Sequence, residues 1–293
     1  MTGSAVGRPP CTGGKTPGVG DPTEQTTFDQ MMALEPHGAD TYVGVGPRYP
    51  WGGLYGGQIV AQSLRAAGLT VEPQFLPHSL HAYFIRPGDH TEPIRFEVDR
   101  IRNGRSFITR RVVARQSIGA IFNLAASFHV VEDEADVQAM SLDPSVGAPD
   151  DHLSDGWSHV FDRRPVGDMR RSDAGLSRAW LRMVEPVEDD PLLRACAISY
   201  VSDDLPTDGA IALHPDRMLV REEGDWERTF MNASLDHAIW FHRPIDPAEW
   251  HLHELRGHNL TGARGLAVGE VYSQAGVHAA TVVQEVLLRR VRP

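Results

Sequence analysis

The chain has 293 residues, 41% of them hydrophobic and 23% charged, with a formal net charge of −11. This is enough for two ordinary domains and a sizeable core, and no apolar run approaches membrane-spanning length. Nucleic acid is excluded as an expected partner because no basic domain is present to neutralise phosphates.

Residues 1–25 are rich in Gly, Pro and Thr and lack the apolar core of a secretory signal, so a flexible extension and a cytoplasmic protein are expected. Cys11 and Cys196 are the only cysteines, which leaves neither a disulfide framework nor a cysteine metal site. Thr41 to Val45 reads as a short strand. The glycine-rich stretch Gly52 to Gly57 then leads into a helix over Gln58 to Ala67, stopped by Gly68. Ile59, Ala61, Leu64, Ala66 and Ala67 make that helix apolar on most sides, with Gln58, Gln62 and Arg65 as polar members, so it is expected to be wrapped. Strands follow at His78 to Arg86, Ile94 to Ile101, Ser106 to Gln116 and Ala120 to Val131, punctuated by turn residues. A helix followed by a run of antiparallel strands is an α+β layout in which a curved sheet can wrap the helix.

From Glu134 to Ser177 periodicity disappears, and this segment reads as a linker between a first unit, 26–133, and a second, 178–293. Trp180 to Val184 reads as a strand. Asp189-Asp190-Pro191 opens an apolar helix that Pro206 limits, leaving Asp203 and Asp204 near its C-terminal end. Phe230 to Arg243, Trp250 to Leu255, Arg264 to Gln274 and Val277 to Arg289 then repeat the earlier strand run. The repeat is visible in the residues themselves. Phe84-Ile85-Arg86-Pro87 aligns with Phe241-His242-Arg243-Pro244 at an offset of 157 (241 − 84), and the same offset carries Gly119 onto Gly276.

The segments GGQIVAQ at Gly56 to Gln62, HSLHAYFIRPGD at His78 to Asp89 and NGRSFITRRVVARQ at Asn103 to Gln116 resemble the TesB-like type II acyl-CoA thioesterases. So do, in the second half, Ser202-Asp203, SLDHAIWFHRP at Ser234 to Pro244, Arg264-Gly265 and Gln284-Glu285. The resemblance covers roughly Tyr42 to Arg289 and implies two fused hotdog folds, each a curved antiparallel sheet around a central helix. It implies hydrolysis of acyl-CoA by a water that an Asp, a Ser or Thr, and a Gln activate, here Asp203, Ser234 and Gln284, with no cofactor. The substrate partner is then acyl-CoA, and a homodimer or higher homo-oligomer is expected.

Read as chemistry, Asp203 is the candidate base, and the negative end of the preceding helix is expected to raise its proton affinity. Ser234 and Gln284 can fix the water, and backbone N–H groups of the Gly53 to Gly57 turn can receive an oxyanion. A bland alternative stands beside each: a solvated helix end for Asp203, a strand-end cap for Ser234, a solvent-facing side chain for Gln284. Gln284 interrupts the apolar run Ala279 to Leu287, and its offset partner is Ser127 (284 − 157). Gly56, Gly57, His78 and Arg105 are weaker candidates for substrate binding. Arg100, Arg102, Arg105, Arg110, Arg111 and Arg115 form one basic concentration that can meet the coenzyme's phosphates or simply face solvent.

Rival readings are weaker. No G-x-S-x-G is present, which disfavours an α/β serine hydrolase. His237 and His242, five apart, and His251 with His253 lack a third ligand, so no metal is expected. Asp246 and His251 have the spacing of a hotdog enoyl-CoA hydratase, but in a strand-like segment. A non-catalytic acyl-CoA-binding double hotdog is the remaining alternative.

Overall fold

A computed structural model describes residues 26–168, 175–219 and 226–291; the extension expected at 1–25 lies outside the described residues. The first half contains a short helix α1 (Phe28–Met32), strands β1 (Glu35–Pro36) and β2 (Thr41–Gly44), and the long helix α2 (Gly56–Gly68). Four strands follow: β3 (Phe75–Phe84), β4 (Ile94–Asn103), β5 (Phe107–Gln116) and β6 (Gly119–Val130). The second half has strands β7 (Phe161–Pro165) and β8 (Leu176–Met183) and helices α3 (Pro191–Val201), α4 (Pro206–Ala212) and α5 (Trp226–Thr229). It ends in β9 (Phe230–Ser234), β10 (Asp236–Phe241), β11 (His251–Thr261), β12 (Arg264–Ser273) and β13 (His278–Arg290).

All strands join one antiparallel sheet in the order β1-β2-β4-β5-β6-β3-β10-β13-β12-β11-β8-β7, with β9 on β13. The order reads the same outward from the β3–β10 seam: β6, β5, β4 and β2 on one side answer β13, β12, β11 and β8 on the other. The duplication in the sequence is therefore a spatial two-fold. His81 of β3 pairs with Ala238 of β10, its own equivalent at the offset of 157 (238 − 81), so the axis passes through that pair. Gly119 and Gly276 both take positive φ, 108° and 80°, at matching turns. This is the double hotdog arrangement.

Helix α2 is buried on nearly every side, as its composition predicts. Its polar members find partners inside: Gln58 Nε2 donates to Gln62 Oε1 at 3.0 Å, and Gln62 Nε2 donates to the Val45 carbonyl at 2.8 Å. A wrapped helix can carry glutamines only if they are satisfied in this way. Helix α3 starts as expected: Asp190 caps it, Oδ1 accepting from the N–H groups of Leu192 and Leu193 at 2.7 and 3.4 Å, with Pro191 at its first position.

Three elements differ from the sequence reading. Pro206 does stop α3, but it also opens α4, because proline fits a first helical turn. The segment 134–177 carries β7 at the edge of the sheet. Phe230 to Arg243 is not one strand. The β13 partners shift by one residue between β9, where Ser234 faces Val286, and β10, where Ala238 faces Val283. Asp236 Oδ1 accepts the Glu285 N–H at 2.6 Å at this break. The irregularity is a bulge.

Helices α2 and α3 meet at unusually close range. A Cβ on Gly57 would lie 2.0 Å from the Tyr200 carbonyl oxygen, so only glycine permits this approach. In an isolated helix, Gly→Ala gains about 1 kcal/mol; forcing an atom into a packed contact costs about 1–3 kcal/mol. We expect the second effect to win. Gly57→Ala should lower the urea midpoint, and a rise would show that the helices separate without cost.

Candidate active site

The bulge between β9 and β10 decides which side chains meet. In an unbroken strand, positions 234 and 237 lie on opposite faces, being an odd number of residues apart. The extra residue reverses the alternation, and both Ser234 and His237 reach Gln284 of β13. Gln284 Nε2 donates to Ser234 Oγ at 2.8 Å, and Ser234 Oγ donates to Asp203 Oδ1 at 3.0 Å. The three residues expected to act together are thus in one connected group. His237 Nδ1 contacts Gln284 Oε1, and His237 Nε2 lies 2.8 Å from Ser202 Oγ.

Asp203 follows the C-terminal cap of α3, Ser202, and is 9% exposed. The solvated helix end is therefore not what is observed. The N-terminus of α2, from the other half, packs onto it. A Cβ on Gly56 would lie 2.3 Å from Asp203 Oδ2 and 3.0 Å from the Phe84 ring, and the Gly57 N–H donates to the carboxylate. Gly56 and Gly57 thus lie against the Asp203 carboxylate. Tyr55, the α2 cap residue, makes no side-chain capping bond to the first-turn N–H groups.

Burial pushes the Asp203 carboxyl from 3.8 up to about 7, against the hydrogen bonds from Gln284, Ser234 and Gly57, which pull it down; the Asp204 charge adds to the rise. The expected cause was the α3 dipole. The largest one is desolvation by burial, to which the first turn of α2 contributes. Asp204 is occupied elsewhere: Oδ1 accepts from Trp157 Nε1 at 2.9 Å and Oδ2 from Arg163 Nε at 2.8 Å. Arg163, on β7, also bonds Asp155 at 2.8 Å and Asp208 at 3.1 Å. Its guanidinium compensates a carboxylate cluster that would otherwise drive Asp203 further up. Only Asp203 of the adjacent pair is directed at the serine and glutamine.

Other candidates lie elsewhere. His78 bonds Ser127 at 2.8 Å, in β3 and β6, about 20 Å along the sheet from Ser234 at ordinary strand rise. Ser127 is the offset partner of Gln284, so His78 sits at the two-fold counterpart of the trio. Arg105 is exposed in the turn between β4 and β5. Of the other arginines singled out, Arg100 is bidentate to Asp40 at 2.8 Å, and Arg111 and Arg115 pair with Asp99 and Glu97. Arg110 is buried, donating to Thr70 Oγ1 at 2.7 Å and to Asn103 Oδ1 at 2.8 Å. It clamps the end of α2 to the sheet, so this arginine is structural. The hydratase pair is not assembled either: His251 is buried on β11 against His253, and Asp246 Oδ1 caps the Ala248 N–H. Among the described residues no cluster of metal-ligating side chains occurs.

Residues 134–288 match the family model described as the acyl-CoA thioesterase C-terminal domain, and residues 46–129 match the N-terminal domain model. The chain belongs to the acyl-CoA thioesterase family. It is 32% identical to acyl-CoA thioesterase 2 of Haemophilus influenzae over 259 residues, 80% of this chain and 87% of that one. It is also 32% identical to acyl-coenzyme A thioesterase 8 of Mus musculus over 88% of each chain. The crystal structure of the acyl-CoA thioesterase II TesB2 from Mycobacterium marinum superposes with a TM-score of 0.77 at 34% identity, covering 90% of this chain and 98% of that one. A hotdog-fold protein from Alicyclobacillus acidocaldarius, 21% identical, superposes at 0.72 over 91% and 98%, which supports the fold.

His237 is the residue of this thioesterase site that sequence reasoning missed. In sequence it reads as half of an incomplete metal pair, or as a strand neighbour of Ser234 that builds no local Ser-His-Asp triad, because its position depends on a bulge that no periodicity announces. The raised carboxyl gives a stability prediction. The folded state holds the Asp203 proton more tightly than the unfolded chain, so this group's contribution is full below 3.8 and is lost as pH rises towards about 7. Asn at 203 carries no such loss. Melting temperatures of Asp203→Asn and wild type, measured from pH 5 to pH 8, should diverge in favour of the variant as pH rises; a constant difference would refute the raised proton affinity.

Proposed function

We propose that this chain hydrolyses acyl-CoA thioesters to a free fatty acid and coenzyme A, by direct attack of a water held at Asp203, Ser234 and Gln284. The convergence of the three side chains on one another carries the reading, together with the family. A binding module would need none of these bonds.

Ser234 is half-buried while Asp203 and Gln284 are buried, so a water or a thioester reaches the trio from the serine side. The water oxygen attacks the thioester carbonyl carbon while Asp203 takes a proton from it. Ser234 Oγ and the Gln284 amide orient the water. The carbonyl oxygen becomes an oxyanion, for which the start of α2 at Gly56, where Tyr55 supplies no side-chain cap, offers backbone donors. The intermediate collapses, the carbon–sulfur bond breaks, and protonated Asp203 returns its proton to the departing thiolate. A carboxyl held near neutrality suits both halves of that cycle. Assembly as a homodimer or higher oligomer and a cytoplasmic location belong to the same reading. Support for the first is that the sheet ends on β1 and β7, two edges open to further pairing; for the second, that the chain has only two cysteines.

Thiol release from acyl-CoAs of increasing chain length should proceed in the presence of chelator. If no member of the panel is hydrolysed above background, the non-catalytic reading replaces this one. The rate should rise with pH through about 7, since the base must be ionised. Asp203→Asn should cost about 10²- to 10⁴-fold in turnover, the usual range for a positioned base.

Ser234 serves here as a holder of water rather than as a nucleophile. Ser234→Thr should stay active because it keeps the hydroxyl, whereas Ser234→Ala should lose about 10- to 10³-fold. Rapid mixing should show no burst of thiol equal to enzyme, and an acyl adduct on Ser234 in intact-mass spectra would overturn direct attack by water.

A further inference from the structure

The hydrogen bonds around Gln284 have a direction that can be deduced. Ionised Asp203 can only accept, so the Ser234 hydroxyl must donate to Oδ1. Ser234 has a single proton and has spent it, so its contact with Gln284 must come from an amide N–H. That fixes the amide with Nε2 towards Ser234 and Oε1 towards His237. An amide oxygen only accepts, so His237 Nδ1 must carry a proton. Burial drives the His237 ring down to about 4, so at neutral pH it holds one proton and Nε2 must accept. The Ser202 hydroxyl stands 2.8 Å from Nε2 and supplies that donor, in competition with the Ser199 carbonyl at 3.0 Å. Four bonds thus run one way, from Ser202 through His237, Gln284 and Ser234 to Asp203.

We infer that His237 is a positioning residue for thioester hydrolysis, holding the Gln284 amide with its NH2 towards Ser234 and Asp203, while the Ser202 hydroxyl donates to the Nε2 that this tautomer leaves as an acceptor. The inference rests on the function proposed above. Its use lies in the half of the cycle when Asp203 is protonated. While the carboxylate is charged, it alone favours an NH2 facing it and repels the amide oxygen. Once it has taken the proton from water that preference fades, and the donor at His237 Nδ1 is what still prevents the amide from turning over. The ring is wholly buried and so is Gln284, so no solvent competes for this bond. A histidine with a conventional pKa would charge in mild acid, present donors on both nitrogens and lose the acceptor that Ser202 needs.

The tautomer can be read without any activity. Long-range 1H–15N spectra of the wild-type protein, with the His237 signals assigned by their disappearance in His237→Asn, should show a neutral ring protonated at Nδ1 from pH 5.5 to pH 8. Protonation at Nε2 overturns the inference. Kinetics provide the second readout. Asn places an amide N–H near the position of Nδ1, whereas Gln reaches towards that of Nε2, and Phe keeps the ring volume with no donor. We expect His237→Phe and His237→Gln to lose about 10- to 100-fold in kcat with KM within about twofold, and His237→Asn to lose no more than about fivefold. The acid limb of kcat should move upward in the Phe variant, because the bond from Ser234 that lowers the Asp203 proton affinity is loosened. A general packing role would not separate Asn from Gln and would not move the limb. Wild-type kcat in the Phe variant, or equal losses in Asn and Gln, would sink the assignment. A wild-type protein inactive on every acyl-CoA would instead refute the proposed reaction, with the Nδ1 tautomer still deciding the bond between His237 and Gln284.

Discussion

The contact on which the site depends is that between the two central helices, at Gly57 and the Tyr200 carbonyl. Because no Cβ intervenes, the N-terminus of α2 from one half reaches the C-terminal end of α3 from the other. Two things follow at once. The first turn of α2 lies over Asp203 and removes it from water, and the Gly57 N–H becomes a donor to its carboxylate. The trio comes entirely from the second half, but its chemistry is set by the first. The first turn of α2, from the other half, adds to the burial that raises the Asp203 proton affinity.

The two-fold also shows that the halves carry different residues at matching places. At the counterpart of Gln284 stands Ser127, bonded to His78, and at the counterpart of Ser234 stands Pro77, which offers no hydroxyl. That region borders a cavity of about 390 Å³ lined by Leu76, Pro77, Val130, Ile198 and Phe241, with His78 and Arg243 among its polar residues. Arg243 is already bound to Asp136 there. The duplication therefore preserves the strand pairing of both halves while the side chains at matching places differ. The strand pairing can be near-symmetric because main-chain bonds do not read side chains.

What the sequence made legible is what depends on composition and spacing. The wrapped α2, the cap at Asp190, the repeat and the strand run follow from local chemistry, and the offset of 157 already implies the symmetric sheet. Asp203, Ser234 and Gln284 were reachable through family resemblance and only weakly through their own properties. Three features were not legible because they depend on distant partners. The bulge that turns Ser234 and His237 to the same face arises from the β13 register and the Asp236 side chain. β7 reads as linker because an edge strand of five residues carries little periodicity, yet its Arg163 binds the carboxylates beside the base. The arginine concentration suggested phosphate binding, but Asp40, Asp99 and Glu97 lie across the sheet from three of its members.

The proton affinity of Asp203 is a balance, and the direction of the net shift shows which side wins. Three hydrogen bonds to the carboxylate pull it down, and any one of them on an exposed group would leave it ionised in mild acid. Burial outweighs all three, and the neighbouring Asp204 works with burial; Arg163 limits that second contribution by holding Asp204 itself. Without the donors, the buried acid would remain neutral at physiological pH and could not accept a proton from water. Without the burial, it would be too weak a base to take one. In the mechanism proposed above, the serine and glutamine would do two tasks with the same bonds: place the water, and offset enough of the desolvation cost to keep the carboxylate ionised. A network with both duties has little tolerance for a rotated amide. His237 supplies the donor that the buried Gln284 oxygen needs, and a hydrophobic residue in its place would leave that oxygen without a partner.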